Sequence, residues 1–533
     1  MRSQLMNKSR LAVFATAASL LATLLVSIPT VAQAVTNCTY QINSVSGEPY
    51  KHCTGKTADG SNVELREPIG YNGTTFVWSH GYRYNTNLPA GISPAGGTTP
   101  YIIDMTAEAG PTVAVMDTLV SKGYAVAGSS YPEQGWGTEK AIKANVQLIS
   151  WVKNTTEEDT KSVIAWGASF GGFVTQALAE KYPKLIKAAA PVCTAAGRVD
   201  ASLTMAQDLL WGLKTFFDPT ITVSGYAAGP AGVGQAAINL GKVAAVLRHI
   251  GGTITETDNA KTWPATSTMP ATVKGIPARS ALVLVGLMAG VPTQSQNFDA
   301  TSFPGAEFAF ALALAPALAL AENAGYAAGL GIFATHDLEL RAGGTFYDNT
   351  KTDYVARVAD ERASYNVALS GNTAIDAMLG VLSTPLAPRI TANAASLAKF
   401  QANIKHNGVA KVPTITLTGT ADMITPAGNS QWLADRNAKN TKKFLPLWVT
   451  TPEKWTKFTA LGTPDTTRKD WPNGTGHCQF TTDQFMLVAD LAIASAKTGS
   501  VPSNAAVTKA VDKVEGVVFD REFSAPLLKY YQK

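Results

Sequence analysis

Gly167-Ala168-Ser169-Phe170-Gly171 follows a buried-type run, Lys161 to Trp166, and opens a helical pattern that reaches about Lys181. A G-x-S-x-G pentapeptide at a strand-to-helix turn raises a serine hydroxyl clear of the backbone, where it can act as a nucleophile. With 45 glycines in the chain the pattern is weak by itself, and the strand before it and the helix after it give it weight. So tight a turn limits large side chains around the serine, which accounts for Gly167 and Gly171 and extends to Gly172.

A serine needs a base to take its proton, and the chain has six histidines. In the order that accompanies this turn, serine precedes the acid and the acid precedes histidine. His52 and His80 come before Ser169, while His249, His336 and His406 fall in a helix-rich stretch or its exit. His477 follows the last clear strands, in the glycine-rich loop Asn473-Gly474-Thr475-Gly476-His477-Cys478. The acid is expected at Asp422, the first carboxylate after the run Leu417-Thr418-Gly419, where it would hold the His477 tautomer. Asp435, Asp465 and Asp470 compete for that role, and a turn-forming aspartate is the alternative reading of Asp422. Two backbone N–H groups must receive the developing oxyanion. One belongs to Phe170; the other comes from the loop His80-Gly81-Tyr82, with Tyr82 preferred and Gly81 as the alternative. His80 is read as structural.

Strand-like and helix-like runs alternate from about Asn62. Strands are expected at Thr74 to Trp78, Tyr124 to Ser130, Lys161 to Trp166 and Leu185 to Val192, and again at Val412 to Gly419 and Phe444 to Val449. Helices are expected at Val113 to Ser121, Glu139 to Lys153, and near Thr482 to Lys497. That rhythm implies an α/β protein with a mostly parallel sheet flanked by helices. Between about Ala195 and Ala410 the chain is rich in Ala and Gly and reads as helix, with loops around Thr253 to Ala278 and Pro292 to Pro304. Phe308 to Leu320, with Pro316 inside it and Glu322 and Asn323 ending it, reads as part of a buried helix pair rather than a membrane span. The tail after Gly499 shows only a strand-like run at Val514 to Phe519.

Lys+Arg 44 against Asp+Glu 39 gives +5, and Arg2, Lys8 and Arg10 supply three of those charges within the first ten residues. The remainder is close to neutral, which argues against a nucleic-acid partner. The basic start, an apolar run from Leu11 to Val31 and Ala32-Gln33-Ala34 make residues 1–34 a cleavable export signal, with no stable membrane insertion afterwards. Four cysteines in an exported chain form two disulfides by default, and three pairings are open. Cys38 and Cys53 are near in sequence and pair to clip the mature N-terminus, which leaves Cys193 with Cys478. No His, Cys or Asp cluster has metal-ligand spacing.

The elbow at Gly167 to Gly171, the His80-Gly81 loop, the strand-end Asp422 and the Gly476-His477 loop together resemble the α/β-hydrolase superfamily, over about 35–194 and 411–533. The resemblance makes 195–410 a large helical cap or lid inserted in the hydrolase domain. The His477-Cys478 pair is also similar to the tannase and feruloyl esterase group, where a cysteine beside the histidine bonds one beside the serine; here Ala168 precedes the serine, and Cys193 could reach Cys478 instead. The superfamily implies ester hydrolysis through an acyl-enzyme on Ser169, with no metal or organic cofactor and a small-molecule ester as partner. Apolar stretches of the insertion (Ala281 to Val291, Phe308 to Leu320, Tyr326 to Phe333) would line a pocket for lipid-like or aromatic esters, or form the insertion's own core. The alternatives are an aminopeptidase-type serine peptidase, with Glu307, Glu322, Asp337, Glu339 and Asp360 available to hold a substrate ammonium, and a non-catalytic binding protein on the same fold.

Overall fold

The computed structural model describes residues 36–91, 99–299, 314–459 and 464–531. The expected export signal lies outside them.

Ten strands form one sheet in the order β1-β2-β3-β5-β4-β6-β7-β8-β9-β10. Its centre is parallel: β5 (Ala125–Ser129), β4 (Thr74–Ser79), β6 (Ser162–Ala168), β7 (Ala188–Val192), β8 (Thr414–Gly419) and β9 (Phe444–Val449). Nearly every residue of these strands is buried, as a sheet covered on both faces requires. One face carries α2 (Thr138–Thr155) and α3 (Phe170–Lys181); the other carries α1 (Val113–Ser121) and a C-terminal helix, Thr482–Thr498, and each face has its own apolar layer.

The N-terminal edge was not foreseen. β1 (Asn37–Ile42), β2 (Pro49–Lys56) and β3 (Asn62–Pro68) form an antiparallel meander that joins the parallel strands through β3 and β5. The far edge is closed by the two-residue β10 (Val517–Val518), antiparallel to β9 and shorter than the expected run, after a helix at Asn504–Val511.

Between β7 and β8 the described chain is helix and loop only. The long helices are α4 (Val199–Phe216), α5 (Gly229–Gly252), α6 (Ala278–Met288) and α7 (Ala315–Ala342). They enclose a third apolar core, which Tyr84 and Leu88 join from the loop after β4 and Tyr530 and Tyr531 join from the C-terminus.

Glu322 and Asn323 do not end the apolar run as expected: α7 is a 28-residue helix running through both, with Pro316 in its first turn, where proline's missing N–H costs nothing. Residues 308–313 of the expected segment lie outside the described ones. By length and composition α7 could cross a membrane, but half of its most apolar window is buried, and it packs against α4, α5 and α6. Its C-terminal half is fastened to the sheet side. Asp337 accepts the Trp136 N–H at 2.6 Å and the Asn85 side-chain amide at 2.6 Å, and Arg341 reaches Asp337 and Glu133, each at 2.8 Å.

Candidate active site

Ser169 stands between the end of β6 and the first turn of α3, with φ 59° and ψ −122°. A non-glycine residue with positive φ is strained, and the surrounding packing holds it there. A Cβ on Gly171 would lie 1.9 Å from the Ser79 carbonyl oxygen, and one on Gly167 would lie 2.6 Å from the same atom. A Cβ on Gly172 would meet Thr194 at 2.7 Å. The elbow is therefore wedged between β4 and the loop after β7, and only glycine fits at positions 167, 171 and 172.

His477 comes to Ser169 from the loop before the helix Thr482–Thr498. Its Nε2 is 2.8 Å from Ser169 Oγ, and its Nδ1 is 2.9 Å from Asp422 Oδ2 and 3.1 Å from Oδ1. An ionised carboxylate can only accept, so Nδ1 carries the proton and Nε2 is free to accept the serine O–H. Asp422 is buried and follows β8. Burial disfavours its charge, but His477 and the N–H donors of Thr425 and Ile424 outweigh burial and hold its pKa below the ordinary carboxylate value. Those donors lie at 2.9 and 2.8 Å, and the Thr425 hydroxyl is 3.0 Å from Oδ2.

None of the competing groups reaches this triangle. Asp435 accepts from Gln431, Asp465 from Thr467, and Asp470 pairs with Arg468. His52 bonds Gln41 and Glu64, His336 meets the Ala227 carbonyl, and His406 sits between Glu180 and Gly197. His80 is buried, stacks on Tyr131 with ring centroids 4.0 Å apart, and donates through Nδ1 to the Gly81 carbonyl at 2.7 Å. Burial first, and then the Arg83 charge, push its pKa down to about 3.

Two disulfides are present, Cys38–Cys53 across the β1–β2 pair and Cys193–Cys478. The second ties the residue after the candidate base to the end of β7. Cys193 is also held by its own backbone, its N–H on the Leu417 carbonyl and its carbonyl accepting the Thr425 hydroxyl. Asp422, His477 and Cys478 form the one Asp/His/Cys grouping compact enough for a metal among the described residues, but the Cys478 sulfur is in the disulfide and the other two groups face each other.

Phe170 is the first residue of α3, where a backbone N–H has no partner within the helix. Gly81 lies opposite: a Cβ on it would sit 3.6 Å from the Ser169 Cβ, which leaves space between that loop and the hydroxyl. Tyr82 follows and lines the cavities on both sides of the pair.

A strained serine on a glycine-locked elbow, addressed by a carboxylate-held histidine over a parallel sheet, decides the class. The chain is a serine hydrolase of the α/β-hydrolase fold. The family of X-Pro dipeptidyl-peptidases (S15 family) matches over residues 79–218, which include the elbow. No curated protein matches the sequence. Among solved structures, feruloyl esterase B from Aspergillus oryzae is similar at 13% identity, covering 89% of each chain, with a TM-score of 0.41. Candida antarctica lipase A in its closed state is 12% identical over 88% of this chain and 82% of its own, TM-score 0.36. An esterase from Aspergillus oryzae is 11% identical over 78% of each chain, TM-score 0.32. Similarity at this level says nothing about the substrate of this hydrolase.

Of the carboxylates considered as ammonium receptors, Glu307 lies outside the described residues. Glu339 is occupied by the N–H groups of Gly225 and Tyr226, Asp337 by Trp136, Asn85 and Arg341, and Asp360 by Lys529. Of the four described, Glu322 alone lines the cavity that holds His477, and it accepts from Ser295 and Asn297. Of the stretches expected to line a pocket, Tyr326 to Phe333 does so, through Tyr326, Ala327, Leu330 and Gly331. The α4 residues Leu203 and Ala206 were not legible beforehand, because no short motif marks which helical residues meet a site distant in sequence.

Proposed function

We propose that this is an exported carboxylic-ester hydrolase working through an acyl-enzyme. Ser169 Oγ attacks the ester carbonyl carbon while His477 Nε2 takes the hydroxyl proton, and the Phe170 and Tyr82 N–H groups receive the oxyanion. The tetrahedral intermediate collapses, the C–O bond to the alcohol breaks, and His477 returns the proton to the leaving oxygen. Water then repeats the sequence and releases the acid. Asp422 stays ionised throughout and steadies the imidazolium. Helices α4 and α7 act as a cap over this site. The observation that carries the reading is the Ser169–His477–Asp422 chain at 2.8 and 2.9 Å. Export is supported by the basic, apolar and A-x-A order of residues 1–34 and by two disulfides.

The test is turnover of p-nitrophenyl esters and labelling by a fluorophosphonate, each compared with Ser169→Ala. Both should vanish in the variant. A wild type that is labelled but cleaves an aminoacyl p-nitroanilide faster than any ester would instead establish the peptidase reading. One observation favours that second reading: the S15 match over 79–218.

A further inference from the structure

Two cavities flank the reacting pair, and the one on the His477 side is the larger and the more open. The first touches Ser169 but not His477 and has a volume of about 60 Å³. Trp136 lines it on the sheet side, with Leu203 and Ala206 from α4 and Gly331 and Ala334 from α7. The second touches His477 but not Ser169, has about 600 Å³, and opens past Tyr84, Tyr326, Trp471 and Gln479. Tyr82, Leu330 and Ile424 form the ridge between them.

Chemistry assigns a role to each. The proton that His477 removes from Ser169 must go to the leaving oxygen, so the alcohol half of the substrate has to sit on the His477 side. The acyl half stays bonded to Ser169 and must occupy the cavity that serine faces. We propose that the enzyme takes esters of a short acyl group with a bulky apolar or aromatic alcohol; this rests on the ester reading above. The acyl side is the narrower of the two and suits a short chain. Its floor cannot recede easily. A Cβ on Gly331 would lie 2.1 Å from the Ala206 Cβ, so α4 and α7 are already in contact, and Asp337 fixes α7 to the backbone of Trp136, itself a wall of the cavity. The alcohol side offers ring faces and edges instead: Tyr326 meets Trp471 edge-on with centroids 5.7 Å apart, and Tyr326 is 47% exposed.

The experiment varies each half separately. With p-nitrophenol as the constant leaving group, kcat/KM of the wild type should fall about tenfold or more from butanoate to octanoate, the range that a mismatch of methylenes produces. Leu203→Ala, which enlarges the acyl wall alone, should raise octanoate relative to butanoate about tenfold. With acetate constant and alcohols of similar acidity, 2-phenylethyl acetate should exceed ethyl acetate about tenfold. Tyr326→Ala should reduce that ratio and leave the acyl profile unchanged. Octanoate turned over as fast as butanoate by the wild type, or equal turnover of the two acetates, would overturn the assignment even if Leu203→Ala does not fold. A Ser169 that is labelled by fluorophosphonate while no ester is hydrolysed would remove the ester reading itself; turnover without the acyl cut-off removes only this inference.

Discussion

Replacing Asp422 by Asn separates what holds the loop from what runs the chemistry. The carboxylate makes four kinds of contact: the Ile424 and Thr425 N–H groups on Oδ1, the Thr425 hydroxyl on Oδ2, and His477 Nδ1. An asparagine with its oxygen at the Oδ1 position keeps both N–H donors. Its amide nitrogen can donate to the Thr425 oxygen, whose own proton then goes to the Cys193 carbonyl 2.9 Å away. Three contacts survive and the fourth inverts. An amide N–H facing His477 needs a bare Nδ1, so the proton moves to Nε2 and the ring offers Ser169 a donor where an acceptor is required. The expected loss in kcat is about 10⁴-fold, or about 5 kcal/mol of transition-state stabilisation. Folding stability should fall far less, by about 1–3 kcal/mol for the lost charge-assisted bond. The assay is ester turnover and fluorophosphonate labelling rate for wild type and Asp422→Asn, alongside thermal unfolding. A kcat within tenfold of wild type would refute the tautomer argument, and so would a variant whose activity loss tracks unfolding.

Three further outcomes follow from the same geometry. Removing Cys193–Cys478 by double substitution to Ala should lower the thermal midpoint more than removing Cys38–Cys53, because the loops closed span 285 and 15 residues, worth about 6 and about 3 kcal/mol by chain entropy; equal shifts by calorimetry would count against this. Gly171→Ala should yield no soluble active enzyme, since its Cβ has no room beside the Ser79 carbonyl, and wild-type expression and turnover would contradict the elbow packing. His80 is neutral in the fold with a pKa of about 3, whereas an unfolded histidine binds its proton near pH 6.5. The unfolded state therefore gains protons first, and stability should decline as pH falls from 6.5 toward 3 by about 1 kcal/mol per unit from this group. Urea unfolding of wild type and His80→Asn at pH 7 and pH 5 checks it: the variant should show the smaller drop, and identical drops would exclude the buried neutral histidine.

What the chain determined locally is the hydrolase core. The parallel strands are short, continuous apolar runs because both faces are covered, and the elbow is legible because steric exclusion forces glycine around a single serine. Asp422 and His477 could be picked out because chain order and strand ends leave few places for an acid and a base. The edge meander β1–β3 was missed because its strands mix Lys, His, Thr and Gly with only partial alternation, and edge strands tolerate that exposure. Pro316 read as an interruption because sequence pattern does not say whether a proline opens a helix or sits inside one. Only the tertiary structure decided that the His477 side of the site is wider than the Ser169 side. Strand pattern and turn chemistry act over a few residues, whereas a cavity wall is a meeting of side chains distant in sequence: Trp136 from the loop before α2, Leu203 from α4 and Gly331 from α7 become neighbours only when Asp337 and Arg341 fasten α7 across the elbow.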